Sequence, residues 1–231
     1  MTSLTPARRR GVEILDDPKV DPGLITRSMK DVERANVWFG GRRAALAELE
    51  PVISDLPSGA SFLDVGPGRG DIAAAVKLRS AELGKKIETI GVDNSFPLVK
   101  EWKSGIDLRV RGDALALPFR DKSVDVVFAS QLLHHFPEMS AIAMVKEMNR
   151  VARRRVVISD LRRSVVAASG LWVGSFLLGF HPVSRHDGVV SVMRGFLPYE
   201  LEEIVSRATG HRPIASRRLG FRLTTSWAPV S

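Results

Sequence analysis

The chain has 231 residues, 44% apolar and 26% charged, a balance that excludes disorder as its main state and suits one domain with at most a small appendage. It contains no cysteine, which excludes disulfide frameworks, thiol catalysis and metal sites built on thiolates. The net charge of +8, from 34 basic and 26 acidic side chains, permits contact with nucleic acid, anionic lipid or acidic partners without selecting one.

Residues 1–24 read as an irregular arm broken by Pro6, Pro18, Pro22 and Gly23. The basic start at Arg8, Arg9 and Arg10 runs into an acidic stretch with Glu13, Asp16, Asp17 and Asp21, not the apolar run of a secretory signal, so a cytoplasmic protein is expected. Helices are predicted over 25–38 and 42–53, with Gly40-Gly41 between them and a turn at Pro57-Ser58-Gly59. Short apolar runs then alternate with helical periodicity. Strands are expected at 61–65, 86–92, 107–111, 124–130 and 155–160, and helices at 71–83, 97–102, 139–152 and 198–209. Residues 213–218 and 221–227 read as a hairpin around Leu219-Gly220 that would add one antiparallel strand. Such alternation implies an α/β, Rossmann-like, doubly wound and mostly parallel sheet with helices on both faces. The expected division is an arm with cap helices over 1–56 and a main domain over 57–231, with an inserted helical lid at 161–196. The uncharged run Val165–Phe180 contains Gly170, Gly174 and Gly179 and falls short of the ~20 residues a membrane-spanning helix needs. It reads as a buried or lid helix, with peripheral membrane contact as the second reading.

The informative segment is Asp64-Val65-Gly66-Pro67-Gly68-Arg69-Gly70-Asp71, where a strand enters a glycine turn and then a helix. Glycine there permits backbone angles that a β-carbon disfavours and lets a ligand approach the main chain near a helix N-terminus. The spacing is G-x-G-x-G, not the G-x-G-x-x-G of dinucleotide enzymes. A structural turn would explain the loop equally well. Asp93, however, ends the second strand, where an acid can accept from ribose hydroxyls. Asp113, with Ala114 after it, follows the third strand, where a carboxylate can accept from an exocyclic amine of adenine. Three such positions at consecutive strand ends make coincidence improbable.

This pattern resembles the class I S-adenosylmethionine-dependent methyltransferases, in particular the small-molecule branch called type 11, over about Ser61–Asp160. The resemblance implies S-adenosyl-L-methionine as cofactor. Asp64, Gly66, Gly68 and Gly70 would line its methionine and ribose part, Asp93 would hold the ribose, and Asp113 with Ala114 would contact adenine. Val124–Phe136 matches the family's fourth motif, which would put Ser130 and Gln131 near the sulfonium. Glu147–Val151 matches its E-x-x-R-V helix ending, while Ala152–Arg155 replaces the usual leucine–lysine–proline–glycine–glycine turn. The arm and the segment Arg185–Phe196 are also similar to methyltransferases associated with polyketide-derived phenolic lipids.

Methyl transfer is an in-line displacement that depends on positioning. A phenolic oxygen, with pKa near ~10, also gains from a base. The candidate bases are His134 and His135 after the fourth strand, and His186 beside Asp187. Packing or a loop turn would explain the same histidines. Asp160 ends the fifth strand and could orient a base or bind substrate. In the lid, Trp172 and Phe176 are candidate substrate contacts for an aromatic or lipid-like acceptor, although core packing would account for them too. No His/Asp/Glu group has metal-ligand spacing along the chain, so no metal is expected. Ala129–Leu132 stands where an N-P-P-Y motif would mark methylation of DNA bases. The reading is a small-molecule methyltransferase acting on a hydroxyl oxygen, without nucleic acid as partner and with oligomeric state open. C-methylation of a quinone-type precursor, RNA modification and a non-catalytic cofactor-binding protein are the alternatives.

Overall fold

The computed structural model describes residues 6–9, 11–17, 19–102 and 105–230. Arg10 of the basic start and the breaker Pro18 lie outside them. Seven strands form one sheet in the order β3-β2-β1-β4-β5-β7-β6: β1 (Ala60–Val65), β2 (Ile87–Asp93), β3 (Leu108–Arg111), β4 (Val124–Ser130), β5 (Ala152–Leu161), β6 (Ser216–Arg218) and β7 (Arg222–Trp227). The first five pair in parallel. β7 then runs antiparallel to β5, and β6 antiparallel to β7. The closing hairpin thus contributes both of its strands where one was expected, because Ser216–Arg218 pairs with β7 before the turn.

Alternation along the parallel strands sorts side chains to two faces. On one face Leu63, Val65, Ile90, Val127, Ala129, Val156 and Ile158 meet α5 (Glu138–Val151) and α8 (Pro198–Thr209) through Met144, Val145, Met148, Leu201 and Val205. On the other, Phe62, Val126, Phe128 and Val157 meet α2 (Gly41–Asp55) and α3 (Asp71–Glu82) through Ala45, Leu49, Ile53, Ile72 and Val76. Burying a side chain of this size contributes roughly 1.5–3 kcal/mol, so α2 belongs energetically to the sheet's helical layer. The expected division near residue 56 would have grouped it with the arm.

Two more differences concern the arm and the lid. Pro22 and Gly23 do not break the chain as expected, since α1 (Pro22–Trp38) begins on them. Asp21 caps it by accepting from Leu24 N at 3.0 Å, and proline fits the first helical turn, where its missing N–H is not needed. Before α1, Ile14–Asp16 forms a 3₁₀ turn. The insertion is a helical pair, α6 (Val165–Leu177) and α7 (Pro182–Arg194), so Arg185–Gly188 is helical and not a loop turn. Its two ends are tied together. Phe196 N donates to Leu161 O at 2.9 Å and Arg163 N to Phe196 O at 3.1 Å, so α6 and α7 leave and rejoin the sheet edge at one place. Among the described residues no helix is long and apolar enough to cross a membrane.

Candidate active site

One cavity of about 790 Å³ opens at the carboxyl ends of the parallel strands, under α1, α6 and α7. That is the position where open α/β sheets bind ligands. Its cofactor-side wall contains Asp64, Gly66, Gly68, Asp71, Asp93 and Leu98, and its middle Ser130, Gln131, Leu132, His134 and His135. Leu161, Val166, Ala167, Leu171, Phe180 and Val192 line the lid side.

The glycine loop adopts the geometry its sequence requires. Gly66, Gly68 and Gly70 have φ of 67°, 56° and 80°, in the left-handed region that glycine enters without penalty. A β-carbon on Gly66 would stand 2.8 Å from Leu132 Cδ2, whereas one on Gly68 would meet only Met29 Sδ, at 4.0 Å. The space above Gly68 is therefore a cradle. Trp102, buried, holds the loop from behind by donating Nε1–H to Gly68 O at 2.8 Å. Gly70 shapes the turn as the residue before α3 and is not in the cavity wall.

Acid crowds this end. Burial, reinforced by the charges of Asp71 and Asp93, pushes Asp64 well above the usual carboxylate range. Burial also raises Asp71, with Glu33 adding to it, and raises Asp93. Asp64 Oδ1 and Asp71 Oδ2 are buried with no hydrogen-bond partner. Such groups call for a donor-rich cation. S-adenosylmethionine carries a sulfonium, an ammonium and two ribose hydroxyls, so the residues present fit it. Asp113 is exposed, caps its own turn by accepting from Leu115 N at 2.9 Å, and lies outside the cavity wall. Ala114 packs against the core.

At the middle of the cavity wall His134 is backed by Asp160, the two aligned through one hydrogen bond. Asp160 Oδ1 lies 2.6 Å from His134 Nδ1, both side chains being 1% exposed. A carboxylate only accepts there, so Nδ1 carries the proton and Nε2 has a free lone pair. Nε2 is buried and has no partner. Burial pushes the His134 imidazole below its ordinary value, against the opposing charge of Asp160. Burial alone would raise Asp160, but His134 and the Leu161 N–H hold it low. Gln131, next to Ser130, has φ of 51°, a strained value for a residue with a β-carbon. Its side chain donates to Asn36 Oδ1 on α1.

Other sequence candidates stand elsewhere. His186 is half exposed on α7, bonded to Asp187 at 2.8 Å, and is not part of the cavity wall. Asp187 does line the cavity, but its oxygens accept from Ile14 N and Leu15 N at 2.8 and 2.9 Å, which ties the arm to α7. Trp172 and Phe176 point outward, each half exposed and packed edge to face with the other, with Arg185 over the Phe176 ring. A helix that is apolar all round does not tell which side it buries, and here the inner side carries Ala167 and Leu171.

The arm brings residues that sequence reasoning did not place here. Glu13 and Asp16 are ion-paired to Arg194 Nη1 at 2.9 and 2.8 Å, and Asp16 lies 3.4 Å from His135 Nδ1. Hydrogen bonding to His135 and Arg194, opposed by burial, holds Asp16 down at about 2. Burial would lower His135, but Asp16 and Glu13 raise it. Ligand atoms of Glu13, His134 and His135 come within 4.8 Å of one another, a grouping that spacing along the chain did not reveal. Arg194 already supplies the positive charge to its carboxylate. The chain's acid-to-arginine order gave no signal for this network, because its partners are about 180 residues apart.

A family model described as a methyltransferase domain matches residues 63–158. The chain carries a class I S-adenosylmethionine-dependent methyltransferase domain. It is 30% identical over 163 residues to an uncharacterized methyltransferase of Mycobacterium sp. (strain KMS), covering 68% of this chain and 54% of that one. It is 33% identical over 142 residues to the demethylmenaquinone methyltransferase of Roseiflexus castenholzii, covering 58% and 55%. The methyltransferase domain therefore sits in a chain that spans about half the length of these curated relatives. In fold it is similar to an S-adenosylmethionine-dependent methyltransferase from Aquifex aeolicus, with a TM-score of 0.59, 17% identity, and coverage of 92% of this chain and 100% of that one.

Proposed function

We propose that the protein transfers a methyl group from S-adenosylmethionine to a hydroxyl oxygen of a small aromatic or lipid-like acceptor, with His134 as the base. The observation that carries this reading is the buried Asp160–His134 pair, whose histidine lines the same cavity as the glycine loop and has an unpartnered Nε2. The cofactor supplies an electrophilic methyl carbon on a positively charged sulfur. Asp93 and the backbone of the loop would hold it, and the Asp64 and Asp71 carboxyls would face its cationic end. The acceptor stands among Val166, Ala167, Leu171, Phe180 and Val192, which exclude water from the reacting atoms. His134 Nε2 would take the hydroxyl proton of the acceptor as its oxygen is methylated. Asp160 keeps the proton on Nδ1 and stabilises the imidazolium that results.

The demethylmenaquinone relative methylates a quinone precursor by its name, and C-methylation is the reading that would dispense with an oxygen-directed base. The outward Trp172–Phe176 face of α6 supports a peripheral apolar contact as a further role of the lid. Single-turnover methyl transfer over a panel of phenols and enolisable quinols, read by a mass gain of one methyl and by fragmentation for its position, tests the assignment. Transfer to carbon alone would replace it.

A further inference from the structure

The described residues include three buried arginines, and two of them are saturated. Arg163 donates to Glu200, to Gly195 O and to Pro6 O. Arg194 is held by Glu13, Asp16 and Gly11 O. Arg222 is only 4% exposed, yet its Nε has no hydrogen-bond partner, and among the described residues no carboxylate lies in ion-pair range. Burial without a partner draws its pKa down to about 10, against the charge of Asp160. The Asp160 oxygens are already engaged by His134 and Leu161 N. A largely buried guanidinium without a matching carboxylate is costly, so its retention in the cavity wall calls for an anion.

The surroundings of Arg222 complete a receptor. Its Nη2 stands 3.2 Å from where a β-carbon on Gly41 would lie. Gly41 is the first residue of α2, and the preceding Gly40, with φ of 77°, provides no side-chain cap. An uncapped 15-residue helix offers free N–H groups and the positive end of its dipole. A side chain at Gly41 would also collide with Asn36 Oδ1 at 2.6 Å, so glycine there lets Arg222 and Asn36 pack close against this helix end. Gly40, Arg43, Gly220, Phe221 and Arg222 all line the cavity. Phe221, held at φ of 55°, fixes the backbone that presents the guanidinium. β7 is three strands removed from β1, about 14 Å at ~4.8 Å per strand, and Asp160 pairs with its neighbour Leu223. Arg222 thus springs from the acceptor half of the sheet, one residue from the strand partner of Asp160, whose charge reaches it.

We infer that Arg222, packed against the N-terminus of α2, receives a carboxylate, or an equally acidic oxygen, of the methyl acceptor. The acceptor is then a hydroxy acid with an apolar body: hydroxyl toward His134, acid toward Arg222. This rests on the methyltransferase reading and names its substrate class. A carboxylate is also present in the methionyl part of the cofactor, and the experiment separates the two sources.

The test measures binding of the three hydroxybenzoate isomers and the matching hydroxybenzamides to the whole chain, saturated with S-adenosylhomocysteine, by calorimetry. Wild type should prefer at least one acid to its amide by tenfold or more. Arg222→Met should abolish that preference and Arg222→Lys restore part of it, while affinity for S-adenosylhomocysteine stays within twofold. Absence of any acid preference in wild type overturns the inference with no variant needed, as does an unchanged preference in folded Arg222→Met. A loss confined to S-adenosylhomocysteine, with 5′-methylthioadenosine unaffected, also overturns it by assigning the site to the cofactor. Methyl transfer is read in parallel. Acid binding through Arg222 without any transfer would refute the function and leave the subsite standing, whereas transfer indifferent to Arg222 would do the reverse.

Discussion

The two ends of the cavity are assembled in different ways. The cofactor end comes from neighbouring stretches of chain: the β1 loop, the first turn of α3, and the end of β2. The acceptor end gathers the arm, the 3₁₀ turn after β4, the end of β5, the helical insertion and the β6–β7 turn, residues that lie up to about 210 positions apart. Backbone features dominate the first: positive φ, an open cradle, a helix start. Charged side chains held by other charged side chains dominate the second. A ligand-binding end built on local backbone tolerates change in its surroundings, while one built on long-range ion pairs depends on each partner, and so the two ends should fail differently.

The largest expected effect lies at the acceptor end. His134→Gln should lower single-turnover methyl transfer by ~10²–10⁴-fold, the usual contribution of a general base, with cofactor affinity unchanged by calorimetry. The pH profile sharpens this. His134 acts as the neutral imidazole, and burial lowers its pKa, so the acid limb of the rate should fall below the ordinary histidine value of about 6.5. Asp160 opposes that lowering. Asp160→Asn should therefore move the acid limb to still lower pH while reducing the plateau, because the Nδ1–H tautomer loses its acceptor. A limb that moved upward would contradict the assigned roles.

At the cofactor end the effect is smaller and appears in binding. Asp93→Ala should weaken S-adenosylhomocysteine by roughly 1–3 kcal/mol, the cost of leaving buried donors of the ligand unpaired, and leave the rate at saturating cofactor nearly intact. Equal affinity in the folded variant would remove Asp93 from the ribose role.

Legibility followed the same division. The order of β1–β5 and the helices between them could be read because each element carries its own periodicity and its own breakers, and the glycine loop is a local requirement of the backbone. Asp93 and Asp64 lie in the cavity wall, as expected of strand ends. The acceptor end was only partly readable. Asp160 and His134 could be nominated singly, but nothing in the chain order says that 2.6 Å separates them. Residues 165–177 are apolar on every side, so Trp172 and Phe176 were assigned inward although they face out. Arg222 begins a strand whose alternation is clear, but its burial follows from the packing of Leu219-Gly220 against Phe39-Gly40, where a β-carbon on Gly220 would stand 2.1 Å from Phe39 O.

The arm provides a third, weaker test. Asp16 has its pKa lowered to about 2, so its contribution is present above the ordinary carboxylate value and lost as pH falls toward about 2. His135 has its pKa raised, so its contribution is full below about 6.5 and lost as pH rises through the raised value. The Asp16–His135 contact should therefore stabilise most between about pH 4 and 6.5. Asp16 is 40% exposed, and solvent screening limits the effect to about 1 kcal/mol or less. In urea unfolding, Asp16→Asn should cost more stability at pH 5 than at pH 9, where only the Arg194 contact remains to be lost. The opposite order would mean that the arm is held by packing and not by charge.

The smallest expected effect separates the inner from the outer side of the lid. Trp172 and Phe176 pack on each other and on Arg185 at the surface, whereas Leu171, one residue before Trp172, lines the cavity. Leu171→Ala removes apolar wall from the acceptor's side and should raise the acceptor KM several-fold. Trp172→Ala should leave kcat/KM for a water-soluble acceptor within twofold, since no cavity atom is lost. Adjacent residues on one helix point about 100° apart, so the pair reports which way α6 faces during turnover. If Trp172→Ala impaired transfer as much as Leu171→Ala, α6 would have to rotate its outer face inward when the acceptor binds, and the acceptor end would be a rearranging lid rather than a standing wall.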